Sequence, residues 1–138
     1  MKVLVDASVW SLALRRKHPP QGEPAVAELR DLILEARAVM IGPIRQEILS
    51  GIRIAAHFER LRDKLRAFPD WGVESGDYER AAEFFNLCRS KGIQGSNTDF
   101  LACAVAHRGK FSILTTDQDF EGYALQLPIQ LHSPRSPL

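Results

Sequence analysis

The chain has 138 residues, of which 45% are hydrophobic and 25% are charged, a composition typical of one soluble globular domain. Its 18 basic and 17 acidic residues give a net charge of +1, which excludes a polycation that binds nucleic acid by bulk charge alone. No apolar run approaches the ~20 residues needed to span a bilayer, and no secretory signal precedes the first strand, so we expect a cytoplasmic protein with no membrane partner.

The first predicted strand, at residues 3–5, is a run of apolar residues with no alternation. Such a run is typical of a strand buried on both faces, as in a parallel sheet covered by helices. Asp6 ends the run, and a helical pattern begins at Val9. Asp6 therefore lies at the carboxyl end of a strand, where open α/β sheets bind their ligands. The alternative is that Asp6 only caps the following helix.

The central part of the chain alternates helices with one short apolar strand. Apolar residues recur at helical spacing, Pro43 suits the first position of a helix, and Pro and Gly mark the loops. The predicted elements, in order, are a loop at 18–22, a helix at 23–37, a strand at 38–41, a helix at 44–55, a basic helix at 57–68 and a turn with at most one brief strand at 69–73.

The last part of the chain contains one almost wholly apolar helix. A helix that is hydrophobic all round is buried, yet this one opens with Asp99. The predicted elements here are a helix at 77–91, a Gly-rich loop at 93–97, the apolar helix from Asp99 to Gly109, a strand at 111–115, a short segment around Tyr123, an edge strand at 128–131 and a disordered tail at 133–138.

Strands that alternate with helices indicate a doubly wound α/β domain with right-handed crossovers. We predict one three-layer α/β/α domain over residues 1–132, with a largely parallel central sheet of four to five strands. Cys88 and Cys103 lie in helical patterns without the spacing of metal ligands. We expect both to be reduced thiols in or near the core.

Four carboxylates are expected at one edge of this sheet. Asp6 and Asp117 each follow a predicted strand. Glu47 lies early in the helix after the second strand, and Asp99 opens the apolar helix. Each acid also has a purely structural interpretation. These interpretations are a helix cap for Asp6 and Asp117, a capping box of Asp99 with Ser96, and a surface ion pair of Glu47 with Arg45 or Arg53.

Carboxylates that converge in a partly dry pocket repel one another, so such a site holds either protons or a cation. Oxygen ligands suit Mg²⁺ or Mn²⁺, and no His or Cys competes at these positions. A divalent ion there can bind a phosphodiester and lower the pKa of a bound water. No Ser-His or Cys-His pair and no Gly-rich phosphate loop stands out, so metal-dependent hydrolysis of a phosphodiester is the favoured reaction.

With these motifs in order, nearly the whole chain resembles the PIN-domain ribonucleases, and within them the VapC-type toxins of bacterial toxin–antitoxin pairs. The resemblance rests on four segments that are weak alone and specific in combination. They are Val3-Leu4-Val5-Asp6-Ala7-Ser8, Pro43-Ile44-Arg45-Gln46-Glu47-Ile48, Asn97-Thr98-Asp99-Phe100-Leu101-Ala102 and Leu114-Thr115-Thr116-Asp117-Gln118-Asp119-Phe120.

The resemblance implies a PIN-like fold and an Mg²⁺- or Mn²⁺-dependent endoribonuclease with an acidic quartet. The quartet would be Asp6, Glu47, Asp99 and Asp117. Asp6 and Asp99 would be direct metal ligands. Glu47 and Asp117 would complete the metal's coordination, orient or deprotonate the attacking water, or hold a second ion.

Other residues acquire expected roles from the same resemblance. Asp119 would be an extra ligand or a cap, and Ser8 and Thr115 would be hydrogen-bond partners of the ligands. The family also implies a homodimer, an RNA substrate such as transfer RNA or ribosomal RNA, and a VapB-type antitoxin whose C-terminal segment lies across the active-site groove. Trp10 and Leu14 either line that groove or the dimer face, or belong to the core.

Some alternatives stay open at this stage. The basic clusters at 15–18 and 53–66 either contact RNA phosphates or form ordinary solvated faces. A receiver-like domain or an Asp-nucleophile phosphatase also gathers acids at strand ends. The phosphatase would require Asp at position 8, where the chain has Ser8. The receiver would require its phosphorylated Asp to end a mid-chain strand and a Lys near the later strand, but Asp99 opens a helix and no such Lys follows Ile113-Leu114. A catalytically silent PIN binding module is the third possibility, and the presence of all four acids argues against it.

Overall fold

The computed structural model describes residues 1–15 and 22–135. Most of the predicted loop at 18–22 lies outside the described residues, as does most of the basic cluster at 15–18. Residues 136–138 of the predicted tail also lie outside them.

A short parallel sheet forms the centre of the domain. Its strands are β1 (Val3–Val5), β2 (Ala38–Val39) and β3 (Ser112–Leu114), in the order β2-β1-β3. The central strand pairs Leu4 with Val39 on one side and with Ile113 on the other, both in parallel register. All of β1 is buried, as its unbroken apolar run predicts. The predicted α/β fold with a parallel sheet is confirmed.

The predicted number of four to five strands is wrong, because three strands form in the described residues. The segments predicted to extend the sheet at 69–73 and 128–131 each contribute one isolated parallel bridge, Met40 to Asp70 at one edge and Ile113 to Leu131 at the other. At 69–73 the Trp71 amide donates to the Met40 carbonyl, and at 128–131 the Ile129 amide donates locally, to the Leu127 carbonyl. The outer segments therefore lie along the sheet without becoming strands.

Seven helices surround the sheet in the part of the chain that the structure describes. They are α1 (Ala7–Leu14), α2 (Pro24–Leu34), α3 (Gly42–Leu49), α4 (Ala55–Leu65), α5 (Ser75–Ser90), α6 (Asn97–Gly109) and α7 (Asp119–Gln126). Helix α3 is shorter than the predicted 44–55 because Gly51 follows it with φ +83°, in the left-handed region that favours glycine. The segment predicted around Tyr123 is the full helix α7.

The helices form two layers. Helix α1 contacts α2, whereas α5 contacts α6 and α7, and α3 contacts both α1 and α6. The chain crosses from β1 to β2 in one direction and from β2 to β3 in the other. Right-handed crossovers in opposite directions place their helices on opposite faces of a sheet. The carboxyl ends of β1 and β3 therefore lie side by side between the two layers.

The core contains the residues that the apolar patterns predicted. Every residue of α6 from Phe100 to Ala106 is buried. Trp10 is fully buried, donates from Nε1 to the Val5 carbonyl over 3.2 Å and packs against Phe68, so it belongs to the core. Cys88 and Cys103 are buried free thiols, as expected. Among the described helices, none combines the length and hydropathy that a membrane crossing would require.

Glu28 on α2 is a buried carboxylate held by the end of the described chain. Only 2% of Glu28 is exposed. Its Oε1 accepts from Arg135 Nε over 2.8 Å, and its Oε2 lies 2.6 Å from His132 Nε2. Arg135 also donates to Glu35 over 2.8 Å. Residues 133–135 belong to the stretch expected to be disordered, and Arg135 fastens it to α2.

Hydrogen bonds from Arg135 and His132 keep Glu28 ionised despite its burial. Burial alone would raise the pKa of Glu28, but hydrogen bonds from Arg135 and His132 outweigh burial and lower that pKa to about 2. A folded-state pKa below the unfolded value means that the ionised carboxylate stabilises the native state.

We expect Glu28→Gln to lower the free energy of unfolding at pH 7 by about 3 kcal/mol. Because folding lowers the pKa of Glu28 from 4.5 to about 2, its contribution is complete above pH 4.5 and is lost as the pH falls towards 2. Urea unfolding of both proteins between pH 2 and 7 measures the difference. Asp31→Asn, an exposed acid on the same helix 3.9 Å from Arg135, is the control and should change little. A constant gap between wild type and Glu28→Gln across this range would contradict the assignment.

Candidate functional site

Asp6 lies at the carboxyl end of β1 and is buried, with 5% exposure. It occupies the position before α1, but its side chain makes no capping hydrogen bond. Its Oδ2 instead accepts from two hydroxyl groups, Ser8 Oγ over 2.8 Å and Thr115 Oγ1 over 2.8 Å. The capping interpretation of Asp6 is therefore wrong, and both residues expected as its hydrogen-bond partners contact it.

The same hydroxyl groups join the ends of β1 and β3. Thr115 Oγ1 also accepts from the amide of Asp117 over 3.0 Å, and Ser8 Oγ accepts from the amide of Thr116 over 3.1 Å. The Asp6 amide donates to the Leu114 carbonyl over 2.9 Å, one residue beyond the last paired residues of the sheet. The positions of Asp6 and Asp117 are thus tied together although the two residues are remote in the sequence.

Asp117 is half-buried in the turn between β3 and α7. Its Oδ1 accepts from the amide of Asp119 over 2.9 Å, which orders the entry into α7. Asp119 is the exposed first residue of that helix and contacts Asp117 through its backbone. The negative charges that raise the pKa of Glu47 and Asp99 come from the other site aspartates and do not include Asp119.

Asp99 stands in the first turn of α6, where Ser96 accepts from its amide over 3.1 Å. A full capping box would return the Asp99 carboxylate to the backbone of Ser96. Here Asp99 Oδ2 accepts from the hydroxyl of Tyr123 on α7 over 2.8 Å. Only half of the predicted capping box forms, because the carboxylate engages a side chain from another helix.

Tyr123 is a site residue that the sequence analysis did not identify. Its ring is fully buried and its hydroxyl group reaches Asp99. Burial, and then the hydrogen bond to Asp99, raises the pKa of Tyr123 above its usual range, so its hydroxyl stays protonated as a donor. No sequence signal points to this contact, since it joins two helices 24 residues apart.

Glu47 lies in α3 and is exposed to solvent. Arg45, one of its two predicted partners, binds Asp70 over 2.9 Å instead. Partial desolvation raises the pKa of Glu47, and the charges of the three site aspartates raise it further. Burial likewise raises the pKa of Asp99, to which Asp6 and Asp117 add. The four carboxylates therefore lie in one electrostatic field.

Among the described residues, no basic side chain pairs with these four carboxylates, which are Asp6, Glu47, Asp99 and Asp117. The donor set consists of carboxylate oxygens, which suit a hard divalent cation. Such an ion would offset the repulsion that the chain leaves uncompensated. The residues present therefore fit Mg²⁺ or Mn²⁺.

The three aspartates each keep one oxygen for an external partner. Among the described contacts, Asp6 and Asp99 use Oδ2 and Asp117 uses Oδ1, which leaves the other oxygen of each without a protein donor. No three His, Cys, Asp or Glu residues in the described ranges lie close enough to form a ready-made metal cage. Mg²⁺ usually keeps several waters and takes only one or two carboxylates, so an open arrangement suits it.

A second feature is an apolar groove between α1, α2 and α4, with a volume of about 370 Å³. Leu14 lines it together with Ile33 and Leu34. Leu14 and Lys64 also line an adjoining groove of about 500 Å³. The basic residues along the two grooves are Arg15, Arg30, His57, Arg60 and Lys64.

Comparison with known proteins bears on the fold. The chain matches no curated protein sequence. It is similar in structure to FitAcB from Neisseria gonorrhoeae, with a TM-score of 0.74 over 96% of this chain and 97% of that one, at 18% identity. It is also similar to FitAB bound to an IR36 DNA fragment, with a TM-score of 0.72 over 96% of this chain and 94% of that one, at 18% identity. Similarity at this identity establishes the fold alone.

The model of the PIN domain family matches residues 3–125. The matched region covers most of the chain and contains all four carboxylates of the site. This chain therefore belongs to the PIN domain family.

Proposed function

We propose that the chain is an Mg²⁺- or Mn²⁺-dependent endoribonuclease and the VapC-type toxin of a toxin–antitoxin pair. One observation carries the proposal: Thr115 ties Asp6 and Asp117 together at one edge of the sheet, and Glu47 and Asp99 lie near enough for these aspartates to raise their pKa. Membership of the PIN domain family supports a nuclease. The proposed acidic quartet is Asp6, Glu47, Asp99 and Asp117.

Asp6 and Asp99 are the proposed direct ligands, because each is held through Oδ2 and keeps Oδ1 for an ion. Ser8 and Thr115 keep the carboxylate of Asp6 in one orientation as the ligand's hydrogen-bond partners. A bound divalent ion supplies an activated water and stabilises negative charge on the phosphodiester.

Glu47 is the group proposed to accept the proton of the attacking water. Its side chain is exposed to solvent and accepts no hydrogen bond from the described residues, so a water molecule can approach its carboxylate. Geometry of this kind is the first requirement of a general base. Asp117 completes the charge of the site, and Asp119, with its exposed carboxylate, has a subsidiary role.

The competing functions are less well supported. A phosphatase would use a second carboxylate where Ser8 instead donates a hydrogen bond to Asp6. A silent binding module would have no use for four unneutralised acids. RNA is proposed as the substrate, with transfer RNA and ribosomal RNA as the two classes that the family resemblance implies.

The grooves beside α1 suit the proposed VapB-type antitoxin. Leu34 is 79% exposed and Ile54 is 68% exposed, and each lines one of the two adjoining grooves, so both belong to an exposed apolar surface. Apolar walls flanked by Arg60 and Lys64 favour a partner segment that alternates apolar with acidic residues. The assembly is further proposed to be a homodimer, as the family resemblance implies.

We expect Asp6→Asn and Asp99→Asn each to lower the rate of RNA cleavage by ~100-fold or more, because each removes a ligand charge without removing volume. Cleavage of total cellular RNA by the purified chain with Mg²⁺, with Mn²⁺ and with EDTA provides the measurement, and EDTA should abolish it. Asp119→Asn should lower the rate of RNA cleavage by a smaller factor. Asp31→Asn, which changes an acid of α2 that pairs with Arg135 and not with the four site carboxylates, serves as the control. Undiminished cleavage by both ligand variants would eliminate the proposed metal site.

Metal binding should also stabilise the folded protein. At an Mn²⁺ concentration of 100 times Kd, binding adds about 2.7 kcal/mol, or a rise in Tm of roughly 10 °C. We expect a much smaller rise for Asp6→Asn, since the field at the site is weaker by one charge. Differential scanning calorimetry with MnCl₂ and with EDTA gives both shifts. Equal shifts in the two proteins would show that Mn²⁺ binds elsewhere.

We expect the double variant Arg60→Glu/Lys64→Glu to bind the small protein encoded beside this chain at least about 10-fold more weakly, because both side chains flank the groove. Arg53→Glu/Arg66→Glu is the matched control, since it reverses two exposed charges on either side of the same helix that do not line the grooves. Isothermal titration calorimetry of the three proteins measures the affinities. An equal loss for Arg53→Glu/Arg66→Glu would indicate general electrostatic attraction and exclude a specific groove.

A further inference from the structure

Tyr123 reaches the acidic site from a position that leaves its side chain no freedom. Its ring is fully buried on α7. The rings of Phe100 and Phe120 pack against it, with centroids 4.9 Å and 5.0 Å away. A fully buried ring packed against two other aromatic rings presents its hydroxyl group in one direction. That direction leads to Asp99 Oδ2, 2.8 Å away.

The loop before α6 leaves room for this hydroxyl group. A Cβ atom added at Gly95 would lie 2.2 Å from the Tyr123 hydroxyl oxygen and 2.7 Å from the ring carbon that bears it. It would also lie 3.0 Å from Phe100 Cε2. Gly95 does not have a positive φ, so close approach rather than backbone conformation is what requires glycine here.

Asp99 and Asp6 are held in the same way. Each accepts neutral hydroxyl donors on Oδ2, from Tyr123 in one case and from Ser8 and Thr115 in the other. A neutral donor fixes a carboxylate without cancelling its charge, which leaves the charge available to a cation. Partners of this kind orient metal ligands in many proteins.

We propose that Tyr123 is a positioning residue for Asp99, and that Gly95 is required because it admits the Tyr123 hydroxyl group to the site. The inference rests on the proposed function, in which Asp99 binds the divalent ion. Tyr123 does not touch the ion or the RNA in this assignment. It holds one oxygen of Asp99 so that the other faces the ion.

The test compares Tyr123→Phe with wild type, since the substitution keeps the ring packing and removes only the hydroxyl group. We expect Tyr123→Phe to bind Mn²⁺ roughly 10- to 100-fold more weakly by calorimetric titration with MnCl₂. The Mn²⁺ concentration for half-maximal RNA cleavage should rise by the same factor, while KM for RNA at saturating Mn²⁺ stays unchanged. Tyr78→Phe makes the same change at the chain's other tyrosine, which is 55% exposed, and should leave Mn²⁺ affinity unchanged.

Tm values with EDTA and with MnCl₂ separate positioning from a purely structural role. A structural role would lower Tm equally in both conditions, whereas loss of positioning reduces the rise that Mn²⁺ produces. Gly95→Ala should weaken Mn²⁺ binding as Tyr123→Phe does. The double variant should bind Mn²⁺ little more weakly than either single variant, because both changes act through the one hydrogen bond from Tyr123 to Asp99. Gly76→Ala is its control, since a Cβ there meets nothing within 4 Å.

The outcomes distinguish this inference from the function on which it rests. Wild-type affinity in Tyr123→Phe, or tighter Mn²⁺ binding, would overturn the positioning role while wild-type cleavage still supports the nuclease. If wild type itself neither binds Mn²⁺ nor cleaves RNA, the proposed function fails and the positioning role fails with it. Weaker Mn²⁺ binding in Tyr123→Phe with an unchanged Tm in EDTA would support both.

Discussion

Repulsion among four carboxylates is the constraint around which the site is built. The chain treats its other buried acids differently. Asp77 is paired with Arg108 over 2.8 Å and Glu28 with Arg135 over 2.8 Å, and hydrogen bonds from these arginines lower the pKa of both acids despite their burial. In the site, burial and neighbouring negative charge instead raise the pKa of Glu47 and Asp99. Arginine therefore stabilises the two buried acids outside the site. The three site aspartates accept their described hydrogen bonds from neutral hydroxyl and amide groups.

Those neutral donors also hold the ends of β1 and β3 together, which matters because the sheet beneath the site is very small. The three short strands leave only a few ladder hydrogen bonds to fix the ends of β1 and β3. Side chains continue the ladder beyond the strands, since Ser8 accepts from the amide of Thr116 and Thr115 bridges Asp6 to the amide of Asp117. The hydroxyl groups that orient the acids are thus the same groups that hold the sheet edge together.

Local patterns were sufficient to predict part of this arrangement. The unbroken apolar run of β1 and the apolar length of α6 predict buried elements, and parallel topology then brings the residues after β1 and β3 to one edge. The edge segments were mispredicted because an apolar run does not show how far its backbone pairs with a sheet, and here each segment forms one isolated bridge while the Ile129 amide donates to Leu127. The roles of Arg135 and Tyr123 were not predicted for another reason. Their partners, Glu28 and Asp99, lie 107 and 24 residues away in the sequence, and no periodicity indicates contacts over such distances.

The segment after β3 connects these features. Within one turn and one helix it supplies Thr115 to Asp6, Asp117 to the acidic field and Tyr123 to Asp99. The chain then returns along the sheet edge, where the Ile113 amide donates to Gln130 and the His132 amide donates to Ile113 before Arg135 binds α2. Two of the three aspartates obtain their orienting hydroxyl groups from this segment, and the third lies within it. The hydrogen bonds that orient the site aspartates are therefore complete only when the C-terminal part of the domain is docked, since Asp6 takes one of its two hydroxyl donors from Thr115 and Asp99 accepts from Tyr123.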